Sequence, residues 1–399
     1  MTKRMTQDAS SVSTATFDSV VPRAGSGAVK YDARKAVFGT DQVIPLWVAD
    51  MDFATPAAIT RALAQRAEHP VYGYSMFPES LYQAMMDWFR ERHQWSIERE
   101  SIVLVPGVVP SLHAACLAFA GPGEGVIIQP PVYPPFYSAI EQTGRRVLEN
   151  PLRLQDGRYQ LDLAHLEQCA ADARLLLLCS PHNPVGRVWQ PEELDAILAI
   201  ARRHQLVVLA DEIHADLVFP DSHRHTPLAL RAGAEDALVT AVAPSKSFNI
   251  PGLGLSALVV PDRDRRQALA REFDRLHVRH CNPFSATAFE AGYRHGGPWL
   301  DALLGYLQGN RDRVCERLAA VPGITAHCPQ GTYLSWLDCR DLGLDDAGLK
   351  RFFIHQAGLG LNPGRSFGAA GSGFMRLNLG TSRAQLDQAL DQLAAALAS

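Results

Sequence analysis

The chain has 399 residues, 47% hydrophobic and 20% charged, with a formal net charge of −4 and a pI near 6.4. These are the proportions of a globular protein large enough for two domains, and mild acidity without any basic and aromatic cluster excludes nucleic acid or an anionic membrane as an expected partner. Seven cysteines form no Cys-x-x-Cys pair in a chain too large to need staples, so they are expected to be reduced core thiols.

The N-terminal stretch MTKRMTQDASSVSTATFD is polar and lacks the apolar segment of a signal peptide, and Asp8 with few arginines argues against a transit peptide. No later run reaches the roughly 18 apolar residues of a membrane span. A cytoplasmic protein without membrane contact is expected. A Gly-containing arm runs to about residue 45, after which short apolar runs alternate with patterns of helical period. GVIIQ (125 to 129), RLLLLCS (174 to 180), LVVLAD (206 to 211), ALVTAV (237 to 242) and LGLSALVV (253 to 260) are too short for helices and too continuously apolar for a solvated sheet face. They predict strands covered on both sides, in an α/β fold with a mainly parallel sheet flanked by helices.

Between two of these runs, QPEELDAILAIARRHQ (190 to 205) carries Pro and two Glu at its start and Arg202, Arg203 and His204 near its end, which suits one crossover helix and its dipole. From Ser285 onward come long helical patterns broken at Gly296-Gly297, then strand-like GTYLSWLDC and GFMRLNLG, then a final helix from about Arg383 to Leu397. The expected division is an arm with part of a small domain over 1–50, a large domain over 51–285 and a smaller α+β domain over 286–399.

In open α/β sheets ligands bind beyond the carboxyl ends of the strands. There the sequence places Asn183 in PHNPVGRVW, Asp211 and His214 in DEIHADL, and Lys246 in APSKSFN. Lysine is seldom buried unless it is paired or used. Gly107 precedes a helical pattern, so free N–H groups at Gly107, Val108 and Val109 suit a phosphate. Neither G-x-x-x-x-G-K-[ST] nor G-x-G-x-x-G is present, which removes support for a nucleoside triphosphate or a dinucleotide. One cofactor uses all these groups: pyridoxal 5'-phosphate (PLP) needs a lysine for a Schiff base, a carboxylate for its ring nitrogen, a phosphate cradle and a flat face, which Tyr133 in QPPVYPPFY can supply.

PLWVADMDF (45 to 53), YGY (72 to 74), QPPVYPPF, SPHNPVGRVW, DEIHADL, SKSFNIPGL and GFMRLNL together resemble fold-type I PLP enzymes of the aminotransferase class I/II superfamily. Within it the chain is similar to the MalY/PatB-type carbon–sulfur β-lyases, from about residue 17 to 397. The resemblance implies that Lys246 binds the cofactor and moves the substrate Cα proton, and that Asp211 pairs with the ring nitrogen. It implies that Asn183, with His214, serves the phenolic oxygen, that Tyr133 stacks on the ring, and that Ser245 joins Gly107, Val108 and Val109 at the phosphate. Arg376 is implied to grip the substrate carboxylate, with Asn183 beside it, and Tyr72 to reach the phosphate of a neighbouring subunit in a homodimer. Ala243 and Gly254 stand where many relatives have Ser and Arg, and Gln330 where the lyase group usually has Glu.

Taken singly these residues have plainer explanations: a snorkelling Lys246, an N-capping Asp211, a structural His214, an Arg376 paired with a surface carboxylate. Glu212, His214, His223 and His225 lack the spacing of a metal site, and His223 to His225 are expected on a solvated loop. The expected activity is α,β-elimination from cystathionine, cysteine or a cysteine S-conjugate, giving pyruvate, ammonia and a thiol. An aminotransferase is the rival enzyme, and a regulatory protein-binding role the rival of another class.

Overall fold

The computed structural model describes residues 14–221 and 224–398. The N-terminal leader reading therefore rests largely on residues outside those described. At the centre is a seven-stranded sheet in the spatial order Ile102–Val105, Ser256–Val259, Ala237–Val242, Val207–Asp211, Ala173–Cys179, Gly125–Ile128 and Arg146–Glu149. Ser256–Val259 runs antiparallel to both its neighbours and the other pairs are parallel. Helices cover both faces, so the inner strands bury both sets of side chains and read as unbroken apolar runs. The strand expected over 253–260 starts only at Ser256, because Pro251–Leu253 closes a 3-10 turn first.

Parallel neighbours need a crossover, and Pro191–Arg203 makes one between Ala173–Cys179 and Val207–Asp211. Its start is fixed by a capping box between Gln190 and Glu193. Its buried stripe of Leu194, Ile197, Leu198 and Ala201 packs with Leu176 and Leu178 of the sheet. Each such side chain contributes about 1.5–3 kcal/mol by leaving water, so Ile197→Ala is expected to cost about 2–5 kcal/mol. Val108–Phe119 belongs to a second core cluster, with Leu175, Leu177 and Val239.

The C-terminal part holds a four-stranded antiparallel sheet of Thr325–His327, Leu334–Asp338, Phe374–Asn378 and Asn362–Pro363. The helical pattern breaks where expected, between Pro283–His295 and Gly297–Ala319. Gly292 and Gly296 are required there, because a Cβ on either would run into the Phe248 ring. That ring belongs to the segment carrying Lys246, so the glycines let a helix press directly on the turn that presents the lysine.

One cysteine pair departs from expectation. Cys315 and Cys328 are joined in a disulfide, while Cys116, Cys169, Cys179, Cys281 and Cys339 are free. The end of Gly297–Ala319 turns back into Thr325–His327 and brings the pair together, a contact that no short spacing motif announces. Among the described residues no helix is long and apolar enough to cross a membrane.

Candidate active site

Beyond the carboxyl ends of the parallel strands lies a cavity of about 310 Å³, lined in part by Gly107, Val108, Val109, Tyr133, Asn183, Asp211, His214, Ser245 and Lys246. The register explains the convergence: Asp211 ends its strand opposite Cys179 on one side and Ala241 on the other. The residues just past those partners are Asn183 and Lys246. Three sequence-distant groups are therefore neighbours because their strands end at one level.

Lys246 sits in the four-residue helix Pro244–Ser247, and its Nζ donates to the Ala49 carbonyl at 2.5 Å. Burial, and next the positive charge of Arg376, push its pKa down to about 8, against the pull of Asp50 and Asp211. Asp211 is 5% exposed, and its Oδ1 accepts from the Ile213 N–H at 3.1 Å. Burial drives this carboxyl up to about 7, opposed by that bond and by Lys246. His214 is also buried; its pKa is pushed down to about 3 by burial and then by Lys246 and Arg376, and its Nδ1 has no partner among the described residues. An imidazole so placed is neutral at physiological pH.

Gly107 caps the helix Val108–Phe119 without a side chain of its own, which leaves the first N–H groups of that helix free at the cavity. Ser245 faces the same space, and Ala243 and Gly254 line it as well. Tyr133 is half-buried on the wall, with its phenol pKa raised by burial.

Arg376 lies beside the cavity on Phe374–Asn378, in register with Trp336 and Asn362. Its guanidinium donates to Asn183 Oδ1 at 3.0 Å, Asn362 Oδ1 at 2.8 Å and the Trp47 carbonyl at 3.0 Å, and it lies 4.8 Å from the centre of the Phe367 ring. Among the described residues no carboxylate pairs with it, so the surface ion-pair reading falls away. Burial lowers its pKa to about 10. A guanidinium held only by neutral oxygens keeps its charge available for an anion.

Tyr72 is not brought to the cavity within one chain. It is 56% exposed, donates to the Ala67 carbonyl at 2.9 Å and packs against Phe284 and Arg66. Gln330 also lies outside the cavity wall; its Oε1 accepts from Val188 N–H at 3.1 Å and from Arg187 at 3.3 Å. The solvated-loop reading is wrong for His225, which is 5% exposed with Nε2 3.0 Å from Glu212 Oε2, because a buried carboxylate needs a partner. His223 lies outside the described residues.

Two contributors escaped the sequence reading. The Ala49 carbonyl accepts from Lys246 and from the Tyr333 hydroxyl, the latter at 2.9 Å, and the Trp47 carbonyl accepts from Arg376. Both are main-chain groups, so residue type carries no signal for them, although both lie inside the quoted segment PLWVADMDF.

Over residues 41–393 the chain matches the protein family described as aminotransferase class I and II. It is 42% identical over 385 residues to cystathionine beta-lyase PatB of Bacillus subtilis, covering 96% of this chain and 99% of that protein. It is 36% identical over 377 residues to protein MalY of Escherichia coli, covering 93% and 96%. Among solved structures it superposes on PLP-containing cystalysin from Treponema denticola with a TM-score of 0.92 and 35% identity, covering 96% of this chain and 98% of that one.

Proposed function

The chain belongs to the aminotransferase class I and II family and has the fold of its PLP enzymes, and from that premise we propose that it is a carbon–sulfur β-lyase acting on cystathionine, cysteine or a cysteine S-conjugate. PLP is its cofactor. The residues fit that group on three counts: the unpaired buried Nδ1 of His214, the uncapped N–H groups after Gly107, and a carboxyl at Asp211 that burial raises toward neutrality despite the nearby charge of Lys246. The likeness to cystathionine beta-lyase PatB favours elimination over amino transfer.

When bound, PLP supplies an electron sink conjugated to the substrate nitrogen. Lys246 would hold the cofactor and, freed by the substrate amine, would take the Cα proton; burial already lowers its pKa to about 8 in the cofactor-free protein. The electron pair of the Cα–H bond forms the Cα–Cβ double bond, and the thiolate leaves Cβ with the former C–S pair. Asp211 would pair with the ring nitrogen and, ionised, keep a proton on it. Asn183 spends its carbonyl on Arg376, which leaves its amide N–H groups free for the phenolic oxygen. The neutral His214, with its unpaired Nδ1, would serve the same oxygen, and Tyr133 would supply a flat face. The N–H groups of Gly107 to Val109, with Ser245, receive the phosphate. Arg376 binds the substrate α-carboxylate as a fork.

The same proposal takes the enzyme as a cytoplasmic homodimer in which Tyr72 completes the partner's phosphate site. The exposed apolar residues Val71, Tyr74 and Met76 around Tyr72 support a covered surface there. The division into a large part over 51–285 and a small part over 286–399 is supported by the two separate sheets. One observation carries the reading: a partly desolvated Lys246 without a carboxylate partner, between Asp211 and an unpaired Arg376. The test is pyruvate release from L-cystathionine by the PLP-loaded protein without any keto acid, with Lys246→Ala as control. Continuous lysine-dependent release is expected. Conversion of the cofactor to pyridoxamine phosphate without pyruvate would replace the lyase by an aminotransferase.

A further inference from the structure

Two buried carboxylates lie outside the cavity lining and take no part in the chemistry above. Asp216, 7% exposed, accepts from Trp88 Nε1 at 3.1 Å, from His93 Nε2 at 2.7 Å and from the Ser247 hydroxyl at 2.6 Å. Glu212 is held by His225 at 3.0 Å and by the Leu228 N–H at 2.8 Å, and the two histidine rings meet edge to face at 5.8 Å. Burial alone would raise the pKa of Asp216, yet the bonds from His93 and Ser247, with the charge of Arg92, hold it below the usual value. Apolar residues of similar size often support a fold as well as buried ion pairs do. Packing alone is therefore a poor account of Asp216.

Ser247 follows Lys246 directly. Their helix, Pro244–Ser247, is a single turn with no stability of its own, so its position depends on what tethers it. On one side Asn249 exchanges hydrogen bonds with the backbone of Met51 and donates to the Phe53 carbonyl, at 2.8–2.9 Å. On the other, Ser247 is bound to Asp216, which Trp88 and His93 anchor to the helix Glu79–His93. Trp88 also packs edge-on against Phe248 at 5.5 Å. The lysine turn is thus pinned between two segments distant in sequence.

We propose that Asp216 is a positioning residue for the reaction: held by His93 and Trp88, it fixes the lysine turn through Ser247 and so sets where the Lys246 amine takes and returns its proton. This rests on Lys246 as the cofactor-binding lysine, and not on which reaction follows. Proton transfer requires heavy atoms within about 2.6–3.2 Å, and a misplacement of about 1 Å can cost up to about a hundredfold in rate. The Ser247 bond is charge-assisted and short, which suits a tether that must hold while the lysine swings.

The test uses PLP-loaded Ser247→Ala, Asp216→Asn and the double variant. Two readouts are taken: kcat and KM with cystathionine, and the rate at which hydroxylamine strips PLP from Lys246, followed by visible absorbance. Each single variant is expected to lose about tenfold in kcat with KM within about twofold, and to change the hydroxylamine rate in the same direction. The double variant should be no worse than the poorer single, because both changes cut one link. Additive losses, or an unchanged hydroxylamine rate in Ser247→Ala, would overturn the proposal. Should Asp216→Asn fail to fold, restoration of kcat by Ser247→Thr relative to Ser247→Ala decides the matter. If the wild type releases no pyruvate but the hydroxylamine rates still move together, the lyase reading fails and the positioning role stands.

Discussion

Lys30 and Lys246 are both drawn out of bulk water, and burial lowers the pKa of both, but their neighbours differ. Lys30 has no exposed surface; its Nζ lies 3.1 Å from Asp52 and 3.7 Å from Asp50, and the same carboxylates receive Arg23 at 2.8 and 2.6 Å. Lys246 has one carbonyl, that of Ala49, and a repelling guanidinium nearby. Charges buried in mutual pairs hold a structure in place. Charges withdrawn from water without a partner are pushed toward neutrality, which is where a proton can be moved. The two regions touch, since Ala49 and Asp50 are adjacent: the paired arm carries the segment on which the unpaired lysine rests.

The sharpest way to break this contrast is to exchange the outcomes of removing each lysine. Lys246→Ala is expected to lower turnover by about a thousandfold or more without loss of stability, since the deleted amine was itself costly to bury. Lys30→Met should do the reverse, losing about 3–5 kcal/mol in denaturant unfolding because Asp50 and Asp52 then share only Arg23. The molecules that remain folded should still turn over. A Lys30→Met protein of normal stability and no activity would show that the arm belongs to the chemistry.

Asp211 extends the same logic to an acid. Its folded pKa of about 7 lies above the ordinary 3.8, so the folded state binds more protons between those values. The stability it contributes is full below the lower value and is lost as pH rises through the higher one. In cofactor-free protein at about pH 8, Asp211→Asn should therefore raise stability by on the order of 2 kcal/mol, an advantage that vanishes near about pH 4. Turnover with PLP should fall about a hundredfold or more, since an amide cannot keep the ring nitrogen protonated. Thermal unfolding across pH checks the first part and steady-state rates the second. A smaller effect is expected for Arg376→Lys: an ammonium cannot reproduce the fork, so KM should rise about tenfold or more with a lesser change in kcat.

Much of this was legible in the sequence because parallel strands end at a common level. Once LVVLAD and ALVTAV are read as buried strands, Asp211 and Lys246 must emerge side by side, and alternation in FMRLNL separates Arg376 from its apolar neighbours. What remained illegible depends on contacts without local period. Ala49 meets Lys246 across 197 residues through a main-chain oxygen. His225 looked solvated until its partner Glu212 proved buried, and Cys315 found Cys328 through a helix reversal. The role proposed for Tyr72 lies on another copy of the chain, where no contact within one chain can reveal it.

The smallest effect tests the join between the two regions. Only the neutral amine attacks the cofactor aldehyde, so the rate of PLP capture by cofactor-free protein should climb with pH and level off with a midpoint near about pH 8, where Lys246 loses its proton. An ordinary lysine, at 10.5, would still be gaining rate at about pH 10. The Asp50 charge raises the Lys246 pKa even though Arg23 and Lys30 engage the same carboxylate. Asp50→Asn should therefore lower the capture midpoint, by a few tenths of a pH unit, because removing a nearby anion disfavours the ammonium form. Stopped-flow absorbance across pH reads both midpoints. If the variant shifts upward, the arm reaches Lys246 by moving Ala49 and its carbonyl, and the field of Asp50 is the lesser influence.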